Sequence, residues 1–194
     1  MLNVDTIIKW KWWLFALIFL GGAAALFQHW LIVRENRHDP VILAAARKYG
    51  VDPALVKAIV WRESKFDPNA RGRAGEVGLM QIRAEAANEW AKAERVLLLS
   101  HYQLTDPAKN TLAGTWYLRK ALRRYKQTDN PIPYALADYN AGRTHVLRWN
   151  KGAASTNSAA FLQQMDFPGT RAYIQAIMDR REHYRPQFPA PKPM

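Results

Sequence analysis

Hydrophobic and polar positions divide the chain into two unlike parts. From Trp12 to Phe27 no polar residue interrupts the run WWLFALIFLGGAAALF, and after Gln28 and His29 apolarity resumes through Leu31, Ile32 and Val33. Together these positions reach the roughly 20 residues that a helix needs to cross a bilayer. Trp10, Trp12 and Trp13 at one end and Trp30 at the other fit interfacial aromatic belts, with Lys9 and Lys11 on one flank and Arg34 and Arg37 on the other. The pattern predicts one N-terminal transmembrane helix over residues 1–33. The alternative is a cleavable signal peptide, with Lys9 and Lys11 as its basic start, Trp12–Leu20 as its apolar core and Ala23, Ala24 and Ala25 as the cleavage site. Renewed apolarity beyond Ala25 favours the uncleaved anchor. The balanced flanking charges leave its orientation open.

The remainder follows a helical pattern. A polar linker is expected over 34–40 and a Pro-rich extended tail over 186–194. Between them Asp39-Pro40, Asp52-Pro53 and Asp106-Pro107 each offer an N-cap followed by proline at the first helical position. Gly50 suits the residue just past a helix end. Thr115, Leu118, Leu122 and Tyr125 mark one face of a helix over 106–126. No stretch sustains strand alternation and no internal repeat is present. An all-α domain of about seven or eight helices over 41–185 is predicted.

Charge narrows the partners. The 194 residues contain 28 Lys and Arg against 16 Asp and Glu, a formal net charge of +12, which favours an anionic partner. No nucleic-acid motif organises the basic residues, so nucleic acid is not expected. The absence of cysteine excludes disulfides, thiolate zinc sites, a cysteine nucleophile and a lipid-modified N-terminal Cys. The five histidines are scattered with no i, i+4 pair, and no metal or cofactor is expected.

The candidate chemistry centres on Glu63. On a helix, Val56, Ile59, Val60 and Glu63 are spaced by three and four residues and share one stripe, so the carboxylate continues an apolar face. Near a helix C-terminus, desolvation and the negative end of the dipole both disfavour its anion. A raised pKa is what a general acid working near neutral pH requires. A second acid is harder to find. Glu76, on a Gly-flanked turn, reads better as a loop carboxylate that caps a helix beginning near Leu79 or pairs with Arg71 or Arg73. Asp138 is a weaker candidate, equally suited to a surface ion pair.

Around these positions the sequence WRESKFDPNARGRAGEVGLMQIRAEAANEW, from Trp61 to Trp90, resembles the active-site region of the soluble-lytic-transglycosylase family, relatives of goose-type lysozymes. Three further blocks agree in order: Asp106 to Asn110 with Gly114, Tyr117 and Leu118; Ala135 to Gly142, containing Tyr139 and Asn140; and Phe167 to Tyr173. The likeness spans roughly residues 41–184. Departures are Gly72 where many members carry Ser, Glu76 where many carry Ala, Gly169 before Thr170-Arg171, and Asp138 before Tyr139. Gly72 lacks a hydroxyl that could contact the sugar.

The resemblance implies a lysozyme-like fold and a peptidoglycan lytic transglycosylase. Glu63 would donate a proton to the β-1,4 bond between N-acetylmuramic acid and N-acetylglucosamine, then take the proton of the muramoyl C6 hydroxyl as it attacks C1. A 1,6-anhydromuramoyl end would result. Ser64 would place a hydroxyl beside the acid or cap the helix end. Met80 and Gln81 would line the sugar groove, with core packing equally suited to Met80. Tyr139 and Asn140 would hydrogen-bond substrate or Glu63, and Tyr173 would orient Glu63 or lie in the core. Trp61, Trp116 and Trp149 fit core burial better than sugar stacking. The partners implied are peptidoglycan strands, the inner membrane and a secretion or conjugation apparatus, with the N-terminus cytoplasmic and the domain periplasmic. The alternatives are a goose-lysozyme-like hydrolase and a non-catalytic wall-binding scaffold on the same fold.

Overall fold

The computed structural model describes residues 4–96 and 100–188, with side chains from Trp12 onward. The side chains of Lys9, Trp10 and Lys11 and tail residues 189–194 lie outside this description. The chain forms two compact units, divided between Arg37 and His38. The first contains α1 (Val4–Asn36), 33 residues long, with mean hydropathy 1.8 over its apolar window. Its side chains from Trp12 to Trp30 are exposed. Length and composition suffice to cross a membrane. Helix α1 continues through Asn36, so most of the linker expected over 34–40 is helical.

The second unit is all-α among the described residues, broken only by isolated bridges between Arg71 and Val77 and between Val77 and Ile82. Its helices are α2 (Asp39–Tyr49), α3 (Pro53–Ser64), α4 (Ala84–Ala93), α5 (Pro107–Arg124), α6 (Pro131–Ala141), α7 (Arg143–Trp149), α8 (Ser158–Gln164) and α9 (Pro168–Tyr184). Asp52 and Asp106 cap α3 and α5 as predicted, accepting from Ala54 N at 2.9 Å and Lys109 N at 2.8 Å. Gly50 closes α2 in the left-handed conformation, φ 63°.

Asp39 departs from the expected cap. It lies inside the first turn of α2, and its carboxylate pairs with Lys57 Nζ at 2.7 Å. Lys57 is fully buried, so its charge demands partners. Gln187 Oε1 accepts at 2.8 Å and the Tyr184 ring lies 4.9 Å away. Pro186 and Gln187 thus belong to a 3₁₀ turn, where an extended tail was expected.

Helix α3 is buried on all sides from Ala54 to Val60, so Val56, Ile59 and Val60 are part of a fully enclosed helix, not of a one-sided stripe. It packs between α9 and α2, while α5 contacts α2, α4 and α6. Only the last turn of α3 emerges. There the chain leaves through Lys65 and Phe66, both at positive φ, so the final helical side chains are held at the edge of the core.

Candidate active site

The C-terminal turn of α3, the loop 70–83 and the C-terminal end of α6 enclose a cleft of about 420 Å³, lined by Glu63, Glu76, Gln81, Arg83, Tyr117, Tyr139 and Asn140 among others. Glu63 is partly buried, and its Oε1 accepts a hydrogen bond from the Tyr173 hydroxyl of α9 at 2.6 Å. Burial pushes the carboxyl above the ordinary range. The Tyr173 bond and the Arg62 charge oppose that shift, and the Glu76 charge adds to it. Burial and then the nearby Glu63 charge drive the hydroxyls of Tyr139 and Tyr173 well above their usual range, so both persist as neutral donors.

The loop facing Glu63 is anchored by its buried Val77, Leu79, Met80 and Ile82 and by hydrogen bonds to one buried polar side chain. Asn110, on α5, accepts from Met80 N at 2.7 Å and donates to Val77 O at 2.7 Å and Leu104 O at 2.8 Å. Gly78, at φ +82°, passes so close that a Cβ would collide with Asn110 Nδ2 and Leu104 O. Met80 is fully buried, with its Sδ against Thr115, and a Cβ on Gly114 would come within 2.8 Å of Met80 Cβ. Its side chain therefore belongs to the core below the cleft, not to the groove. Its carbonyl serves the site by accepting from the Tyr139 hydroxyl at 2.8 Å.

Gln81 stays in the cleft at φ 48° and donates Nε2 to Ala70 O at 3.0 Å and Gly78 O at 2.9 Å. Asn140 is exposed at the rim, where its Oδ1 accepts from Thr170 at 2.9 Å. Tyr139 packs edge-on against Tyr117 with centroids 5.7 Å apart. Ser64 turns away: its buried hydroxyl donates to Val60 O at 3.1 Å, a bond made back along its own helix.

The two other carboxylates differ from expectation. Glu76 caps no helix near Leu79, because α4 begins at Ala84; it pairs with Arg83 at 2.7 Å and accepts from Ala74 N at 3.0 Å. Partial burial pushes its carboxyl up, but hydrogen bonds from its own amide, Arg83 and Ala74 outweigh this and hold it below the ordinary range. Asp138 makes no surface pair. It is buried, bound by Arg124 and by the Tyr125 hydroxyl, the latter at 2.9 Å. Trp149 is buried, Trp116 flanks a shallow basic hollow elsewhere, and Trp61 lies between Lys65 at 3.3 Å and Arg180 at 5.0 Å. Arg83 and Tyr117 were not singled out from the sequence as site residues, since only folding brings the first beside Glu76 and the second beside Tyr139. Asn110 falls within the Asp106–Asn110 block on which the family likeness rests, but its bonds to the loop depend on the fold.

The Transglycosylase SLT domain family model matches residues 40–162. The chain is 33% identical over 123 residues to membrane-bound lytic murein transglycosylase F of Desulfosudis oleivorans, covering 62% of this chain and 25% of that protein. It is 33% identical over 137 residues to soluble lytic murein transglycosylase of Escherichia coli K12, covering 70% of this chain and 21% of that one. Among solved structures, an inactive mutant of lytic transglycosylase Slt from Pseudomonas aeruginosa superposes with a TM-score of 0.73 at 27% identity, over 81% of this chain and 25% of the other. A complex of the 70-kDa soluble lytic transglycosylase with bulgecin A gives the same TM-score at 25% identity, over 87% and 27%. The chain spans between about a fifth and a quarter of the length of these curated relatives. With a helical domain of the same fold and a family match over more than half its length, this chain belongs to the Transglycosylase SLT domain family.

Proposed function

We propose that this protein is a membrane-anchored lytic transglycosylase that cuts the β-1,4 bond between N-acetylmuramic acid and N-acetylglucosamine in peptidoglycan. The observation that carries the reading is the partly buried Glu63 carboxyl, raised in pKa and held by the Tyr173 hydroxyl at the wall of a polar cleft. In its protonated form Glu63 donates to the glycosidic oxygen as the bond to C1 breaks. The substrate's own acetamido oxygen meets the positive charge growing at C1. The ionised Glu63, now a hydrogen-bond acceptor for Tyr173, takes the C6 hydroxyl proton while that oxygen closes on C1. Ring closure within one sugar gains from a very high effective concentration and consumes no water. Gln81, Tyr139 and Asn140 act at the substrate side of the cleft, and Tyr173 positions the acid.

The N-terminal helix, residues 1–33, is read as the inner-membrane anchor, with 41–185 as the catalytic domain on the periplasmic side. Support comes from the exposed apolar surface of α1 and from relatives named as membrane-bound. The test is mass spectrometry of purified sacculi digested with the full chain. Anhydro ends weigh one water less than reducing ends. Reducing ends alone would replace this reading with that of a goose-type hydrolase. No soluble products from wild type, or equal products from wild type and Glu63→Gln, would point to a wall-binding scaffold.

A further inference from the structure

The two unusual residues of the loop, Gly72 and Glu76, occupy one space. A Cβ placed on Gly72 would fall on Glu76 Oε2, lie 2.9 Å from Glu76 Cβ and come within 3.0 Å of Gln81 Oε1. Glu76 has little freedom to withdraw. Arg83 Nε and Nη2 donate to its Oε1 at 2.8 and 2.7 Å, and Ala74 N donates to Oε2 at 3.0 Å. The backbone closes around the same point, with Gly72 N donating to Glu76 O at 2.8 Å. Residue 72 must therefore be without a side chain for the Glu76 carboxylate to lie where it does.

Gln81 adds a second acceptor to this wall. Both hydrogens of its Nε2 are spent on Ala70 O and Gly78 O, which fixes the amide and leaves Oε1 as the group offered to a ligand. Glu76 retains 20% side-chain exposure and borders the same cleft as Glu63. The wall thus presents two fixed oxygens side by side and asks for hydrogen-bond donors from whatever enters.

We infer that Glu76, admitted by the missing side chain at Gly72, is a specificity-determining substrate contact that with Gln81 Oε1 accepts hydrogen bonds from the hydroxyl or acetamido N–H groups of an N-acetylated sugar. The inference rests on the glycan reading of the cleft. It exchanges the hydroxyl that Ser would offer at position 72 for a charged acceptor delivered from position 76. A charge-assisted bond of this kind is stronger than a neutral one and tolerates no acceptor opposite it.

Binding of a β-1,4-linked N-acetylglucosamine hexamer, measured by calorimetry on the full chain in detergent with Glu63→Gln present to prevent turnover, tests this. Adding Glu76→Ala should weaken binding about tenfold, as loss of a hydrogen bond to a charged group does. Gly72→Ser, which displaces the carboxylate, should weaken it comparably. The two together should cost no more than the worse one alone, because both remove the same contact. Glu76→Ala needs no new space, so it is decisive even if Gly72→Ser lowers the melting temperature. Unchanged affinity in Glu76→Ala, or losses that add in the double variant, would overturn the inference while leaving the catalytic reading intact. A parent chain that binds no hexamer, beside a wild type that releases nothing from sacculi, would remove both.

Discussion

The C-terminal turn of α3 and the loop 70–83 each bring a carboxylate to the same cleft, and the protein treats the two oppositely. Glu63 emerges from the most deeply enclosed helix of the fold, meets a single neutral donor in Tyr173, and is pushed above the ordinary carboxyl range by desolvation. Glu76 sits on a loop, with a guanidinium and backbone amides around it, and is held below that range. Proximity in sequence and identical chemistry count for nothing here. What separates a carboxyl pushed toward its acid form from one held toward its ionised form is how much water each has lost and which donors replaced it. The loop is held both ways, by the buried side chains of Val77, Leu79, Met80 and Ile82 and by the hydrogen bonds of Asn110, whereas α3 is held chiefly by burial.

The most forceful way to break this comparison is to neutralise the acid. Glu63→Gln should reduce release of soluble muropeptides from sacculi by at least about a hundredfold, the usual share of a general acid. Glu76→Gln should leave most of that release, and a reversal of the two results would move the acid to the loop. Glu63→Gln should also alter stability in a pH-dependent way. Because the folded pKa of Glu63 is raised, the folded state binds more protons than the unfolded state above its ordinary value of 4.5, and stability falls as pH rises through that window. The variant has no charge to bury, so its Tm should exceed that of wild type at pH 7 and match it near pH 4.

Next in size is the loop's fastening. Asn110→Ala removes three buried hydrogen bonds and should cost about 2–4 kcal/mol in a urea titration. It should return the Glu76 carboxyl toward its ordinary range, followed by carboxyl carbon NMR, while Glu63 keeps most of its shift. Loss of both shifts together would show that loop and helix end are one cooperative piece.

Tyr173→Phe probes the helix end alone. The hydroxyl stabilises ionised Glu63, so its loss should move the Glu63 titration further upward and carry the alkaline limb of the activity profile to higher pH. The maximal rate should fall about tenfold as the second, base-requiring step loses its support. A downward move of that limb would contradict the hydrogen-bond geometry. The smallest effect belongs to Arg83→Ala. An exposed pair of this kind contributes less than about 1 kcal/mol, so chemical denaturation should barely change. The Glu76 titration should nonetheless shift upward, because one of the contacts holding it low is gone.

Much of this was legible without coordinates. Helical content, the Asp52 and Asp106 caps, the Gly50 terminus and the single long apolar helix depend on local spacing and side-chain type, which sequence states directly. The predicted partly buried, upward-shifted Glu63 agrees with its position at the end of a core helix. Tertiary structure decided the rest, because most answers lay with residues brought close only by folding. Met80 went to the core since Gly114 opens room for it, and Ser64 turned to Val60 as the helix end closed over it. Asp39 found Lys57, Asp138 found Arg124 and Tyr125, and Glu76 found Arg83 in place of Arg71 or Arg73. Spacing along a chain fixes which face a side chain is on. Only the folded neighbours fix whether that face meets water, a charge or another helix, and for a carboxylate that is the whole of its chemistry.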